Sequence, residues 1–252
     1  MQQTDPVYDA LMLTHDYFVE TSIVICDNTT PLSMDTDGVI EQGYRESDIV
    51  SLHTNINLFS GNEPKVGCCS SGEVDATIMY PSNVIPKMAR VTPYIRLVKN
   101  DETVHSNWYR KGVYFIDTRE VTKNSDGIRM LMFHGYDALL KANDDYPWSE
   151  EASPTDIEAV NAIAQKIGVS VDPRTTAIIN KGYTVVAPIG FKMIETLGHI
   201  AGAYGGNFII NEQGMLQLIC LWDLPKETYL LTDEDYVYIT FGGYRINLGV
   251  DA

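Results

Sequence analysis

The residue types that do chemistry are present in this chain, but their spacing does not assemble them. A serine nucleophile on a strand-to-helix elbow needs the pattern G-x-S-x-G. The nearest cluster, Gly67-Cys68-Cys69-Ser70-Ser71-Gly72, lacks that spacing and leads into a strand pattern. The histidines His15, His53, His105, His134 and His199 form neither H-x-x-x-H nor H-E-x-x-H, the spacings that put two imidazoles on one helix face for zinc. His134 ends an apolar strand pattern and reads as a core histidine, whereas His199 reads as a surface or interface residue. Asp35-Thr36-Asp37-Gly38 has the start of a calcium loop, yet Gly38 comes too early and Glu41 falls at position 7 instead of 12. A turn is the better reading, with an irregular calcium site as the alternative. Tyr146, Trp148, Glu150 and Glu151 set aromatics beside carboxylates, the combination that glycan chemistry uses. Read plainly, they are solvated glutamates in a linker that Trp148 anchors. Cys26, Cys68, Cys69 and Cys220 are too few and too irregular for a disulfide framework, and the adjacent pair reads as small packing residues. The stretch AGAYGG at 201–206 closes a helix pattern instead of opening one, so no helix N-terminus meets a phosphate. No residue is assigned a catalytic, cofactor-binding or metal-binding role, no cofactor is expected, and the chain is read as not an enzyme.

The elements around these residues are better defined. Residues 17–135 are strand-rich. Val74, Ala76, Ile78 and Tyr80 alternate with Glu73, Asp75, Thr77 and Met79, the period of two of a half-buried strand. Residues 19–26 and 91–98 behave similarly, with Pro93 pushing the second toward an edge or a strand entry. Runs at 113–117 and 128–133 are joined by the turn Asn124-Ser125-Asp126-Gly127. Strands packed this closely predict an antiparallel β-barrel-like domain over residues 1–145.

From Tyr136 the period lengthens. A short helix is expected at 136–142, then a polar connection at 143–151 that marks a boundary. Ser153 is predicted to cap a helix with Pro154 at N1, burying Ile157, Val160, Ile163, Ala164 and Ile167 and ending at Gly168. Residues 170–186 read as irregular. The segment FKMIETLGHIAGAYGGNFIINEQGMLQLICL at 191–221 reads as a small-residue helix, a Gly205-Gly206 stop and a hairpin. Ile194, Leu197, Ala201 and Tyr204 share its apolar face, with Ile200 at the edge. Gly198 and Gly202 thin a neighbouring side, which suits close backbone packing more than helix stability. Residues 146–232 are thus a helical α+β module with a β-hairpin, and 233–252 begin a further β segment. The fold class is α+β.

At 252 residues, 44% hydrophobic and 21% charged, the chain has ordinary globular composition. No apolar run reaches the ~18 residues of a membrane span, and the N-terminus has no secretory signal; membrane insertion is not expected, and synthesis in the cytoplasm is. The formal charge of −16 argues against gripping phosphates, so sequence-specific nucleic-acid binding is not expected. The charge reads either as solubility through self-repulsion or as an acidic surface that DNA passes without sticking.

Four segments resemble baseplate hub and tail-associated structural proteins of bacteriophages and prophages. They are 49–52 with 72–78 (IVSL, GEVDATI), 108–117 (WYRKGVYFID), 134–141 (HGYDALLK), and the helix–hairpin with its IAGAYGGNF core. Their order spans about residues 45–222. The resemblance implies a non-enzymatic tail subunit in the baseplate or tail-tip hub, connecting the tail tube to the distal tip of a phage or phage-tail-like particle. It implies a homo-oligomer, a trimer in full-length form, beside other tail and baseplate proteins. In that family a second barrel follows the helical module, and the 17 residues after Asp235 do not build one. The expectation is therefore a truncated chain or a missing second barrel. The alternative is a host-surface or carbohydrate-binding module, part of a longer tail-associated hydrolase.

Overall fold

The computed structural model describes residues 4–27, 40, 43–59, 64–81, 84–145, 153–186 and 190–220, with the backbone of four short strands beyond them. Met1–Ile219 form one compact unit and Cys220–Ala252 another.

In the first unit, an N-terminal helix α1 (Pro6–Thr14) precedes an antiparallel sheet. The strands are β1 (Tyr17–Cys26), β2 (Tyr44–Arg45), β3 (Ile49–Asn55), β4 (Glu73–Met79), β5 (Arg90–Lys99), β6 (Tyr109–Arg110), β7 (Tyr114–Lys123) and β8 (Arg129–Tyr136). Their spatial order is β2-β1-β5-β7-β8-β4-β3, with β6 also on β5. Alternation decides the buried face: Val74, Ala76 and Ile78 point inward from β4, while Asp75 is exposed. They meet Ile23, Val91, Tyr114, Ile116, Leu131 and Phe133 in one apolar core. Each such large side chain contributes about 1.5–3 kcal/mol relative to exposure.

The expected barrel is corrected, because the sheet is not closed. β2 lies at one edge and β3 at the other, and among the described residues no ladder joins them. Only residues 46–48 separate the two strands, so four chain steps of ~3.5 Å keep those ends within about 14 Å. The sheet must therefore curl, yet β2 has only two residues to offer a ladder. On β3, a register shift between Ile49 and Ser51 leaves Val50 unpaired and exposed, a bulge that turns the edge away from further pairing. Pro93, predicted to mark an edge or a strand entry, instead sits inside β5, opposite Ile23 of β1. It is tolerated there because β5 changes partner at that point. The β7 ladder stops at Val91, the β6 ladder begins at Tyr94, and the Pro93 carbonyl accepts from Lys111 N at 2.8 Å between them.

The helical module follows. A 3-10 helix (Ala138–Asn143) leads to α2 (Asp156–Ile167), α3 (Pro173–Ile178), α4 (Met193–Ala203) and the hairpin β9 (Gly206–Ile210) and β10 (Leu216–Cys220). The cap of α2 is Thr155, two residues later than Ser153: Thr155 N donates to Glu158 Oε2 at 2.8 Å in a capping box. That shift puts Asp156 in the buried stripe and leaves Ile157 half-buried. In α4 the buried face is Met193, Leu197, Ile200 and Ala201, so Ile200 is central, and Ile194 and Tyr204 are half-buried.

The second unit contains β11 (Thr228–Leu230) paired antiparallel with β14 (Asn247–Gly249), and β12 (Thr240–Phe241) with β13 (Tyr244–Arg245). The expected β run at 236–241 is a strand at its last two residues, and the rest lies outside the described residues.

Candidate functional site

The feature that organises the first unit is the seam where the sheet meets the helical module. Residues 67–70, just ahead of β4, lie parallel to β9. Gly67 N donates to Gly206 O at 3.0 Å, Phe208 N to Cys68 O at 3.1 Å, and Ser70 N to Phe208 O at 3.4 Å. On the other side of the hairpin, Leu216 N donates to Ser170 O and Asp172 N to Leu216 O, both at 2.9 Å, in a second parallel bridge. Both hairpin edges are thus covered by borrowed backbone, which satisfies donors that burial would otherwise orphan. The fully buried Asn207 locks the first contact. Its amide donates to Leu58 O at 3.0 Å and Lys65 O at 2.7 Å, and its oxygen accepts from Cys68 N at 3.0 Å.

The small side of α4 packs against the same segment. A Cβ on Gly198 would stand 2.8 Å from the Gly67 carbonyl oxygen, nearer than real side chains come, whereas one on Gly202 would meet Gly67 Cα at an ordinary 3.6 Å. Gly67 itself is at φ +79°, where a side chain is strained. Asp137 ties the other end of the seam. Its carboxylate accepts from Gly72 N at 2.5 Å, Ser71 Oγ at 2.8 Å and Leu139 N at 2.9 Å. Burial pushes this acid up to about 6, against the pull of those three donors.

These contacts position backbone, and their chemistry is packing. Cys69 has its thiol pushed up to about 12 by burial, the opposite of an activated nucleophile. The histidines stay apart. His15 is the left-handed cap of α1, and His53 and His105 are exposed. His134 is not a core residue; it sits half-buried on the outer face, 2.7 Å from Asp75. His199 is exposed and stacks on Phe191 at 5.4 Å. Among the described residues, no three His, Cys, Asp or Glu side chains gather to hold a metal, and no helix is long and apolar enough to cross a membrane. Residues 35–38 and the group Tyr146, Trp148, Glu150 and Glu151 lie outside the described residues.

The open antiparallel sheet and the helix–hairpin module together make an α+β fold. The chain is similar in fold to the 43 kDa tail protein of prophage MuSo2 from Shewanella oneidensis, with a TM-score of 0.50 at 13% identity. That match covers 86% of this chain and 63% of the prophage protein. A tail protein from Neisseria meningitidis MC58 matches with a TM-score of 0.45 at 14% identity, over 88% of this chain and 53% of its own. The Francisella PdpA-VgrG complex gives a TM-score of 0.39 at 8% identity, over 70% of this chain and 26% of that one. No protein-family model and no curated protein matches the chain. At these identities the likeness is one of fold, and the chain spans less than two thirds of each tail protein.

Proposed function

We propose that the chain is a non-enzymatic structural subunit of a phage or prophage tail, acting in the hub that joins tail tube to distal tip. The observation that carries this reading is the fold shared with the MuSo2 tail protein along most of the chain. In this reading the sheet of residues 1–145 meets identical neighbours and the helical module of 146–232 braces it, while 233–252 begin a further β segment. Val50 at the β3 edge and Val121, Ile128 and Met132 near the β7–β8 hairpin are exposed apolar side chains that a neighbouring copy would cover. Three copies around an axis close a ring, beside other tail and baseplate proteins, with the charge of −16 resisting association at low salt.

Two measurements test this. Tail particles purified from producing cells should contain the protein in a multiple of three copies, by quantitative mass spectrometry and antibody labelling at the distal end. Its presence only in the particle-free supernatant would sink the tail role. Native mass spectrometry over a salt series should show self-association rising with ionic strength; a strict monomer at every salt and concentration would remove the ring.

A further inference from the structure

A cleft of about 560 Å³ opens between residues 107–109, which lead into β6, and the turn of the β9–β10 hairpin, a size that suits a small ligand. The carboxylates of its floor are already satisfied. Asp5 accepts from Tyr8 N at 2.8 Å, from Asn107 N at 2.7 Å and from the Tyr109 hydroxyl at 2.9 Å. Asp172 accepts from Arg174 Nε at 2.9 Å and Nη2 at 2.8 Å, and from Asn211 Nδ2 at 2.7 Å. Arg110 Nη1 reaches across to Gln213 O at 3.2 Å and fixes the hairpin turn against the sheet side.

What the floor does not use lines the walls. The side-chain amides of Asn107 and Gln213 and the carboxylate of Glu212 have no hydrogen-bond partner among the described residues, and all three border the cleft. Trp108 borders it too; Arg96 at 4.5 Å and Arg45 at 5.3 Å both stand over its ring and hold the indole in place. Planar amides and carboxylates hold adjacent hydroxyls in pairs, and an indole offers a flat apolar face with a polar edge. Among the described residues, three lining carboxylates, Asp5, Asp172 and Glu212, stand against one lining cation, Arg174. Arg174 beside Asp172 holds that acid below its usual range, so it stays charged and the cleft disfavours anions.

We propose that this cleft binds a neutral oligosaccharide, with Asn107, Gln213 and Glu212 taking its hydroxyls where the Trp108 indole borders the cleft. The binding stands apart from the tail reading: absence from particles would not touch it, and an empty cleft would not touch the particle test. The N-acetylglucosamine tetramer and maltotetraose are titrated separately while tryptophan emission and backbone amide shifts are recorded, with sialyllactose as the anionic counterpart. At least one neutral sugar should bind with a Kd of about 1 mM or tighter, shifting amides of 107–109 and 211–213, while sialyllactose gives no response. Asn107→Ala with Glu212→Ala, both away from the apolar core, should weaken that binding at least ~10-fold at unchanged Tm. Silence from both neutral sugars at about 10 mM, preference for sialyllactose, or binding unchanged in the double variant would each overturn the assignment.

Discussion

The sheet and the helical module are held together by different kinds of burial. Inside the sheet the core is mainly apolar, from Ile23 and Val74 to Ile78, Val91 and Phe133, with Ser22, Arg90 and Thr92 the polar residues buried on its strands. The module has apolar helix faces as well, but threads buried polar groups between them: Asp137, Asp156, Asp172, Asn207 and Asn211. Each of these joins segments that are separate in the chain. Asp156 at the start of α2, for example, accepts from Tyr183 N at 3.2 Å and from the Tyr204 hydroxyl. Apolar burial is non-directional, so a core conserving its volume repacks. A buried carboxylate or amide with three partners has one geometry, and losing it leaves donors stranded. The sheet is thus shaped more by volume and the module more by hydrogen-bond direction.

The sharpest way to break this contrast is at the seam. Gly198→Leu forces a side chain into the Gly67 carbonyl and should cost about 3 kcal/mol in denaturant unfolding. Gly202→Ala, which meets only ordinary contact, should be neutral or gain up to about 1 kcal/mol from helix propensity. Equal losses in the two variants would mean that the close approach is not what the glycines serve.

Next in size, Asn207→Ala strands the Cys68 N–H and the carbonyls of Leu58 and Lys65, at a cost of about 2 kcal/mol. Substitution to Leu should not rescue it, since shape without donors leaves the same groups unpaired. A rescued melting temperature would place the module under the same volume rule as the sheet.

Asp137 allows a test by pH. Its pKa of about 6 lies above the ordinary 3.8, so the folded state holds the proton more tightly than the unfolded one. Between those values the folded chain binds more protons, so this group's contribution to stability rises as pH falls from above 6 toward 4. Carboxylates held low, such as Asp172, act oppositely, and their loss sets in only below pH ~4. Asp137→Asn should remove the rise between neutral pH and pH ~5, and lose about 1 kcal/mol because an amide has one acceptor for three donors. An unchanged pH profile in that variant would assign the rise elsewhere.

Of similar size, Ile78→Val in the sheet core removes one methylene and should cost about 1 kcal/mol. A loss as large as that of Asn207→Ala would erase the distinction between the two regions.

The parts legible in the sequence are those with local causes. The alternation in β4, the turn with Gly127 at φ +77°, the Gly168 stop and the β9–β10 hairpin all follow from period or turn chemistry. Helices α1 and α3 also carry a local signal. Each begins with aspartate then proline, Asp5-Pro6 and Asp172-Pro173, with the aspartate capping and the proline at the first helical position. Other features have no local signal. Cys68 meets Asn207 across 139 residues, and Asp5 meets Asn107 across 102. A small-residue face on α4 predicts that something lies close, but only the fold says that it is Gly67. The open sheet is of the same kind, since strand spacing predicts pairing without saying whether the last pair forms.

The parallel strand that residues 67–70 lend to the hairpin has a kinetic consequence. The module cannot finish its small sheet from its own contiguous chain, because one of its strands arrives from well over a hundred residues upstream. Closing so long a loop is slow compared with forming the hairpin. During refolding, β9 should therefore pass through a stage with its outer edge bare, open to pairing with another molecule. A fragment of residues 138–220 should show the same exposure permanently and aggregate in a concentration-dependent manner, and a peptide spanning 64–72 added in trans should suppress it. Light scattering of the fragment with and without that peptide measures this directly; a fragment that stays monomeric alone would mean that β9 has no need of the lent strand.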